Sequence, residues 1–361
     1  MTQDIISRGS RIVLMPYNDQ WRTLRKMMHN VLMARQQDIF MPFQDLESKH
    51  LLWDYLEQPD RWWSANGRYV NSVIMSVVFG RRTVLDDPEV AELFETIELF
   101  LENQQPGANL VDGFPIFKKL PQFLQWWRPR GDAIFHKTYR RAVRVYEREL
   151  AKTEAKLQNG TQRQCFATDF IESEEYRNMP QTQRLFTFGS FMEAGSDTSR
   201  VSIGQVIAAA GTYPDWIARA RKHLDEYISA VVKEGFRWRP NIAEIAAPHM
   251  LTRDDEYESY RFPAGTVFTW NAWAIALNEK EYNDPERFHP ERFLDNDVEN
   301  VLKGHWGFGP DRRIAGLEID TMAIPQITKN KAPFSVKVRA RSEAHADLIK
   351  RECSEAVDTV Y

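Results

Sequence analysis

Apolar residues recur at helical spacing along most of the first two-thirds of the chain. Three or four apolar positions per two turns, gathered on one face, are typical of amphipathic helices. The pattern stops at Trp238-Arg239-Pro240, because proline cannot continue a helix. We therefore predict helices over seven segments, namely Trp21 to Met33, Leu51 to Leu56, Tyr69 to Val78, Val90 to Leu101, Ile134 to Leu157, Gln181 to Ala210 and Pro214 to Arg237.

Beyond residue 240 the pattern changes to short segments in which apolar and polar residues alternate. Alternation with a period of two is typical of half-buried strands, and Pro263-Ala264-Gly265 is a turn sequence between two of them. Strands are predicted over His249 to Thr252, Tyr260 to Phe262, Thr266 to Trp270 and Ala332 to Arg341.

Together the two patterns predict a mainly α protein with a small β-sheet, an α+β fold. The sequence has no internal repeat and no low-complexity linker. We therefore expect a single domain over residues 1–361, helical over 1–240 and β-rich over 241–361.

Composition supports a folded protein and excludes several function classes. Hydrophobic residues make up 43% of the chain and aromatic residues 12%, which opposes disorder. The net charge is -4 and the basic residues are not clustered, so there is no reason to expect a nucleic acid partner. Two cysteines cannot build a disulfide framework or a four-cysteine zinc site. The sequence has no signal peptide and no membrane anchor, so as written it is expected in the cytoplasm.

Two motifs in the helical part could carry chemistry. Trp21 and Arg25 stand four residues apart, so an indole and a guanidinium share one helix face and could hold a carboxylate. The alternative is an ordinary amphipathic helix with a solvent-directed arginine. The run from Ala194 to Thr198 places small and polar residues inside a helix, where a flat cofactor could approach the backbone and a hydroxyl could pass protons. The alternative is a packing glycine.

Two further motifs follow. Glu234 and Arg237 are spaced for an ion pair within a helix, which on a surface would contribute little. If the pair is buried and also meets Arg292, it would lock the helix to a later loop. The segment from Trp306 to Gly316 is a glycine-containing loop, in which Arg313 is available for an anionic group.

In this order the motifs resemble the cytochrome P-450 family. The chain reads Trp-x-x-x-Arg, Ala-Gly-x-Asp-Thr, Glu-x-x-Arg, Pro-Glu-Arg-Phe and Phe-Gly-x-x-Arg-Arg, and the similarity runs from about Met15 to Leu348. Within that family, the sequence most resembles fungal members that modify secondary metabolites. The resemblance implies a cytochrome P-450-like fold around a heme iron cofactor.

The resemblance also assigns roles to residues. It implies cofactor binding by Trp21, Arg25, Ala194, Gly195, Phe308 and Arg313, proton delivery by Asp197 and Thr198, and a structural role for Glu234, Arg237 and Arg292. Family members are anchored to the endoplasmic reticulum membrane. They insert one oxygen atom from dioxygen into a hydrophobic small-molecule substrate, with electrons from an NADPH-cytochrome reductase.

One departure from the family concerns the metal. The heme-binding loop of the family, Phe-x-x-Gly-x-Arg-x-Cys-x-Gly, carries the cysteine that ligates the iron, and a thiolate both holds the iron and favours O–O cleavage. In this chain that cysteine is absent between Ile314 and Ala315, and Asp311 stands where the family has a glycine. The loop therefore supplies no metal ligand, and the missing thiolate opposes heme binding.

The family's N-terminal anchor and first elements are also missing, so we expect an incomplete, truncated fold. The first hypothesis is a degenerate, inactive monooxygenase related to fungal secondary metabolite biosynthesis. The second is an active heme-dependent monooxygenase with a mis-spliced gene model. The third is a non-catalytic helical protein that binds a small molecule.

Overall fold

A computed structural model describes residues 1–32, 37–104, 108–240, 249–295, 334 and 338–359. The chain divides into two compact units, Met1–Arg200 with Ile327–Tyr361 as the first and Val201–Gln326 as the second. Each unit has its own apolar core. The single domain expected over residues 1–361 stays a prediction.

The described residues form thirteen α-helices. In chain order they are α1 (Asp19–Leu32), α2 (Gln37–Glu57), α3 (Trp62–Phe79), α4 (Pro88–Glu102), α5 (Leu110–Gly113), α6 (Arg128–Gln158), α7 (Phe166–Glu172), α8 (Glu174–Asn178), α9 (Gln181–Thr212), α10 (Asp215–Lys222), α11 (Leu224–Trp238), α12 (Ala272–Ala276) and α13 (Glu343–Asp358). Every segment predicted as helical up to Ala210 falls on a helix, except that Met33 lies outside the described residues, and the predicted mainly α class is confirmed.

One predicted helix is wrong in its length. The segment from Pro214 to Arg237 forms two helices, α10 and α11, which are separated at His223. His223 has φ -129° and ψ 56°, outside the helical region. The side chains from Arg221 to Leu224 at this break are all exposed.

Within the described residues, the predicted small β component consists of two two-stranded antiparallel sheets. Strand β1 (His249–Met250) pairs with β4 (Val267–Phe268), and β2 (Asp255–Tyr257) pairs with β3 (Tyr260–Phe262). Strand β2 was not predicted, because its three side chains are all exposed and show no apolar alternation. The strand predicted over Ala332 to Arg341 lies largely outside the described residues.

Helix α9 supplies aromatic side chains to the core of the first unit. Phe186 and Phe188 are almost fully buried there, and Tyr146 of α6 lies with its ring edge against Phe186 at a centroid distance of 5.5 Å. Gly189 makes this approach possible, because a Cβ at this position would lie 2.3 Å from a ring carbon of Tyr146. The glycine is therefore a packing requirement of the α6–α9 contact.

Helix α13 packs against α2 and is held by a buried polar network in the first unit. Arg82 donates to the carbonyl oxygens of Ala356 at 2.6 Å and Thr359 at 2.5 Å, so its guanidinium satisfies the end of α13. The same side chain donates to Glu47 Oε1 at 2.6 Å and to His50 Nδ1 at 2.9 Å. Burial opposes ionisation of Glu47, but hydrogen bonds and charges from Arg82 and Arg68 outweigh it and lower the pKa of this carboxyl.

His50 makes the stability of the first unit depend on pH. Burial, followed by the charges of Arg68 and Arg82, lowers the pKa of His50 from 6.5 to about 4. As the pH falls, the unfolded chain therefore takes up this proton before the folded chain does. The contribution of His50 to the free energy of unfolding is complete above pH 6.5 and is lost as the pH falls towards 4. After allowance for the partly solvated ring, we expect a loss of roughly 2 kcal/mol from this group.

The variant His50→Gln tests this expectation, because glutamine keeps an acceptor for Arg82 and cannot titrate. Denaturant unfolding at neutral pH and at about pH 5 should show a smaller loss of stability for this variant than for the native chain. The change His29→Gln, at an exposed histidine of α1, is the matched control. An identical pH dependence for His50→Gln and the native chain would contradict the assignment.

Among the residues described in the structure, no helix combines the length and the apolar character that a bilayer crossing requires.

Candidate functional site

The Glu234–Arg237 pair on α11 is buried in the second unit. Neither side chain has any exposed surface, and Arg237 donates to Glu234 through Nε at 2.6 Å and through Nη2 at 2.8 Å. Arg292, which lies in a 3-10 turn at Pro290–Phe293, donates through Nε to Glu234 Oε1 at 3.2 Å. The contacts on which the predicted link between α11 and the later loop depends are therefore present.

Arg237 also organises the chain that surrounds it. Its Nη1 donates to the carbonyl oxygens of Ala276 at 2.7 Å and Pro285 at 2.8 Å, and the backbone N–H of His289 donates to Glu234 Oε1 at 2.7 Å. Buried charges are tolerated when their hydrogen-bonding capacity is met in this way. The pair therefore holds α11, the end of α12 and the segment 285–292 in one arrangement.

The Ala194–Thr198 motif lies on α9, which is continuous across it. Thr198 Oγ1 donates to the carbonyl oxygen of Ala194 at 2.8 Å, and the helix continues past this position. Gly195 faces Ile74 of α3, since a Cβ there would lie 2.7 Å from Ile74 Cγ1. This contact supports the packing interpretation of the glycine. The assignment of Ala194 and Gly195 to cofactor binding stays a prediction.

Asp197 is buried and ion-paired within α9. Arg200 donates to Asp197 Oδ1 through Nη2 at 2.5 Å and through Nε at 3.1 Å. The Arg200 guanidinium also lies 3.9 Å from the ring centroid of Phe94 and 4.7 Å from that of Trp63. The structure therefore brings a carboxylate and the Thr198 hydroxyl into one turn of α9, and their role in proton delivery stays a prediction.

A buried charge cluster next to this motif was missed by the sequence reasoning. Glu193, which directly precedes Ala194, is ion-paired with Arg11 and accepts a hydrogen bond from the Tyr146 hydroxyl. Burial, followed by the charge of Glu193, raises the pKa of Tyr146, so the phenol stays protonated and donates. In the sequence, the cluster is indicated by a glutamate, Glu193, that stands next to apolar residues of a predicted helix. The family motifs do not include this residue.

Trp21 and Arg25 lie on α1 in the first unit. Trp21 is half-buried and contacts the Tyr17 ring at a centroid distance of 5.3 Å, and Arg25 is exposed. The predicted role of both in cofactor binding is not tested by these contacts. Phe308 and Arg313, together with the whole loop and the position between Ile314 and Ala315, lie outside the described residues.

Both cysteines of the chain lie outside the loop from Trp306 to Gly316. Cys165 precedes α7 and accepts a hydrogen bond from Gln162 Nε2 at 3.4 Å. Cys353 is buried in α13, and burial raises the pKa of its thiol. The described residues contain no cluster of His, Cys, Asp and Glu side chains that could hold a metal ion. The thiolate of a heme-thiolate centre is not supplied by the loop sequence where the family carries it.

Comparisons with known proteins agree with these motifs. The sequence profile of the family described as Cytochrome P450 matches residues 2–314, and the match ends at the residue that precedes the missing cysteine. The chain is similar to Cytochrome P450 monooxygenase verL of Clonostachys rogersoniana, at 29% identity over 98% of this chain and 76% of the relative. It is also similar to Cytochrome P450 monooxygenase patH of Penicillium expansum, at 31% identity, and to fogE of Aspergillus ruber, at 30%.

These two alignments span 87% of this chain but only 64% of patH and 62% of fogE, so the chain spans less than two thirds of either relative. A solved zebrafish cytochrome P450 structure with abiraterone has a similar fold, with a TM-score of 0.57 and 19% identity over 81% of this chain and 70% of that chain. The buried Glu234–Arg237 lock, the α9 motif and a family profile that covers most of the sequence lead to one conclusion: the chain belongs to the cytochrome P450 family.

Proposed function

We propose that this chain, as its sequence is written, is a degenerate relative of fungal monooxygenases of secondary metabolism and does not turn over substrate. The observation that carries the proposal is the loop from Trp306 to Gly316, which has no cysteine. Without a thiolate, neither the iron ligand nor the electron donation that favours O–O cleavage is available. The relatives named above are monooxygenases by name, which supports the ancestry.

The two remaining thiols do not replace the missing one. Cys165 is engaged by Gln162 at the start of α7, and Cys353 sits inside α13, where burial disfavours the thiolate. The buried Glu234–Arg237 pair supports a scaffold that keeps its contacts in the second unit. We therefore propose a retained scaffold with a lost reaction; a hydrophobic small molecule would be the substrate class only if the chain were active. An NADPH-cytochrome reductase, the electron donor that the family resemblance implies, would find no thiolate-ligated heme iron to reduce here.

The experiment is a heme content assay on the full purified chain, combined with a difference spectrum of the reduced protein with carbon monoxide. We expect far less than stoichiometric heme and no thiolate-type spectrum. Stoichiometric heme with a thiolate-type spectrum, together with turnover of any hydrophobic substrate, would overturn the proposal. A hydrophobic ligand that binds without heme would instead favour the non-catalytic binding protein.

A second candidate, an active enzyme with a mis-spliced gene model, is favoured by one specific observation. The alignment with verL extends over 417 positions, although the chain has only 361 residues, so the relative carries internal segments that have no counterpart here. Sequencing of the transcript across the Ile314 and Ala315 codons separates the two candidates. A cysteine codon at that point would restore the enzyme hypothesis.

A further inference from the structure

Arg239, the residue that follows α11, is a half-buried cation with aromatic neighbours. Its guanidinium carbon lies 4.9 Å from the ring centroid of Trp238 and 5.0 Å from that of Trp273. Arginine stacks readily on indole faces, because its delocalised charge is attracted by the π electrons and is weakly hydrated. The two tryptophans therefore hold the guanidinium through ring contacts that do not use its N–H groups.

The N–H groups of Arg239 have no acceptor in the described part of the chain. The structure gives this side chain two ring contacts and neither a hydrogen bond nor an ion pair. Arg237, two residues earlier, differs, since its guanidinium donates to Glu234 and to three carbonyl oxygens. A guanidinium has five N–H donors and stays charged at neutral pH, so a half-buried one without an acceptor can still take up an anion.

A second donor without an acceptor belongs to the same aromatic surroundings. The indole N–H of Trp273 is buried, and no atom of the described residues accepts a hydrogen bond from it. Buried donors are normally paired, because an unpaired one costs free energy. Burial also lowers the pKa of Arg239, and the negative charge of Glu286 opposes this shift. A bound anion would offset the burial of the cation in the same way.

The two indoles belong to elements that other contacts hold in place. Trp238 Nε1 donates to the carbonyl oxygen of Glu286 at 2.6 Å, which fixes the plane of its ring. Trp273 belongs to α12, and Arg237 Nη1 ties the end of this helix to α11 through the carbonyl oxygen of Ala276 at 2.7 Å. The two rings are therefore positioned before a ligand arrives, which lowers the entropic cost of binding.

We propose that Arg239 and Trp273 form a binding site for the carboxylate of a small organic acid. The planar fork of a guanidinium matches the two oxygens of a carboxylate, and the indole N–H is a further donor to such an anion. A carboxylate attached to an aromatic ring suits the site best, since its ring would lie against the indoles. This inference is independent of the proposed function, because binding requires neither heme nor turnover.

The experiment is a ligand-observed NMR titration of the full purified chain with sodium benzoate, and with benzyl alcohol as an uncharged analogue. We expect benzoate to bind about tenfold or more tightly than benzyl alcohol, because only benzoate accepts a charge-assisted pair of hydrogen bonds. Arg239→Gln should lower the affinity for benzoate by about tenfold or more for the same reason. Arg239→Lys keeps the charge but loses the fork, so we expect a loss of about threefold.

Two further variants examine the surroundings of the guanidinium. Trp273→Phe keeps an aromatic ring but removes the N–H donor, so the affinity for benzoate should fall by about threefold. Glu286→Gln removes a negative charge that acts on Arg239, and the affinity should rise by about twofold because the anions no longer repel each other.

Arg261→Gln is the matched control, because Arg261 is an exposed arginine on β3 of the same unit. It should bind benzoate as the native chain does. Far-ultraviolet circular dichroism of every variant checks that a lost affinity does not come from a lost fold.

Three outcomes would overturn the proposal. The native chain could bind benzoate no better than benzyl alcohol, or Arg239→Gln and Arg239→Lys could bind benzoate as the native chain does. The third outcome is binding by Glu286→Gln alone, which would make Glu286 the partner of Arg239 in solution.

Discussion

Replacement of Arg237 by methionine is expected to lower the free energy of unfolding by about 3 to 5 kcal/mol. The substitution keeps the bulk of the side chain but removes the guanidinium. It leaves the fully buried Glu234 with less compensation and takes the donor away from the carbonyl oxygens of Ala276 and Pro285. Urea unfolding followed by far-ultraviolet circular dichroism measures the effect.

Arg22→Met is the matched control for this prediction. Arg22 forms the same type of pair, with a carboxylate three residues away, but at an exposed position on α1. We expect its unfolding midpoint to be unchanged. The double variant Glu234→Leu/Arg237→Met should be more stable than Arg237→Met alone, because it leaves no uncompensated carboxylate. Equal midpoints for Arg237→Met and Arg22→Met would contradict the structural role of the buried pair.

Insertion of one cysteine between Ile314 and Ala315 is expected to raise the heme content of the purified protein from trace to near-stoichiometric levels. The inserted thiolate supplies the ligand that the loop lacks, and a thiolate-type spectrum with carbon monoxide should appear with it. The control inserts serine at the same place, which restores the loop length without a sulfur ligand. Heme content and the difference spectrum are measured on both proteins side by side.

A second insertion variant addresses the backbone of the loop. Asp311 stands where the family has a glycine, and glycine adopts positive φ angles that other residues adopt at a cost of about 1 to 2 kcal/mol. Adding Asp311→Gly to the cysteine insertion should raise the heme content further. Equal heme in the cysteine and serine insertions, with or without Asp311→Gly, would show that the loss extends beyond the missing ligand.

The sequence predicted the long helices up to Ala210 because apolar residues recur along them at helical spacing, but it missed α13 and the shorter helices α5, α7, α8 and α12. It could not place the break at His223, where the backbone leaves the helical region within a stretch of exposed residues that carries no proline or glycine. It also missed β2, whose three exposed residues follow no burial pattern. Short elements depend on backbone pairing that leaves little trace in the order of side chains.

For the site as well, residue spacing indicates which contacts are possible, and the fold decides which of them form. The three-residue spacing of Glu234 and Arg237 permits an ion pair, but only the structure shows that both are buried and that carbonyl oxygens complete their contacts. Glu193 and Arg11 are separated by 182 positions, and no local pattern joins them. Long-range charge pairs are set by the fold, so a single sequence without relatives does not reveal them.

The long-range pair between Arg11 and Glu193 has a practical consequence for hybrids of this chain with its relatives. A hybrid that takes its first residues from one parent and α9 from the other separates the two partners. The orphaned carboxylate would then face the ring of Tyr146 without its cation. Crossover points therefore belong before Arg11 or beyond α9, so that both partners are inherited from the same parent.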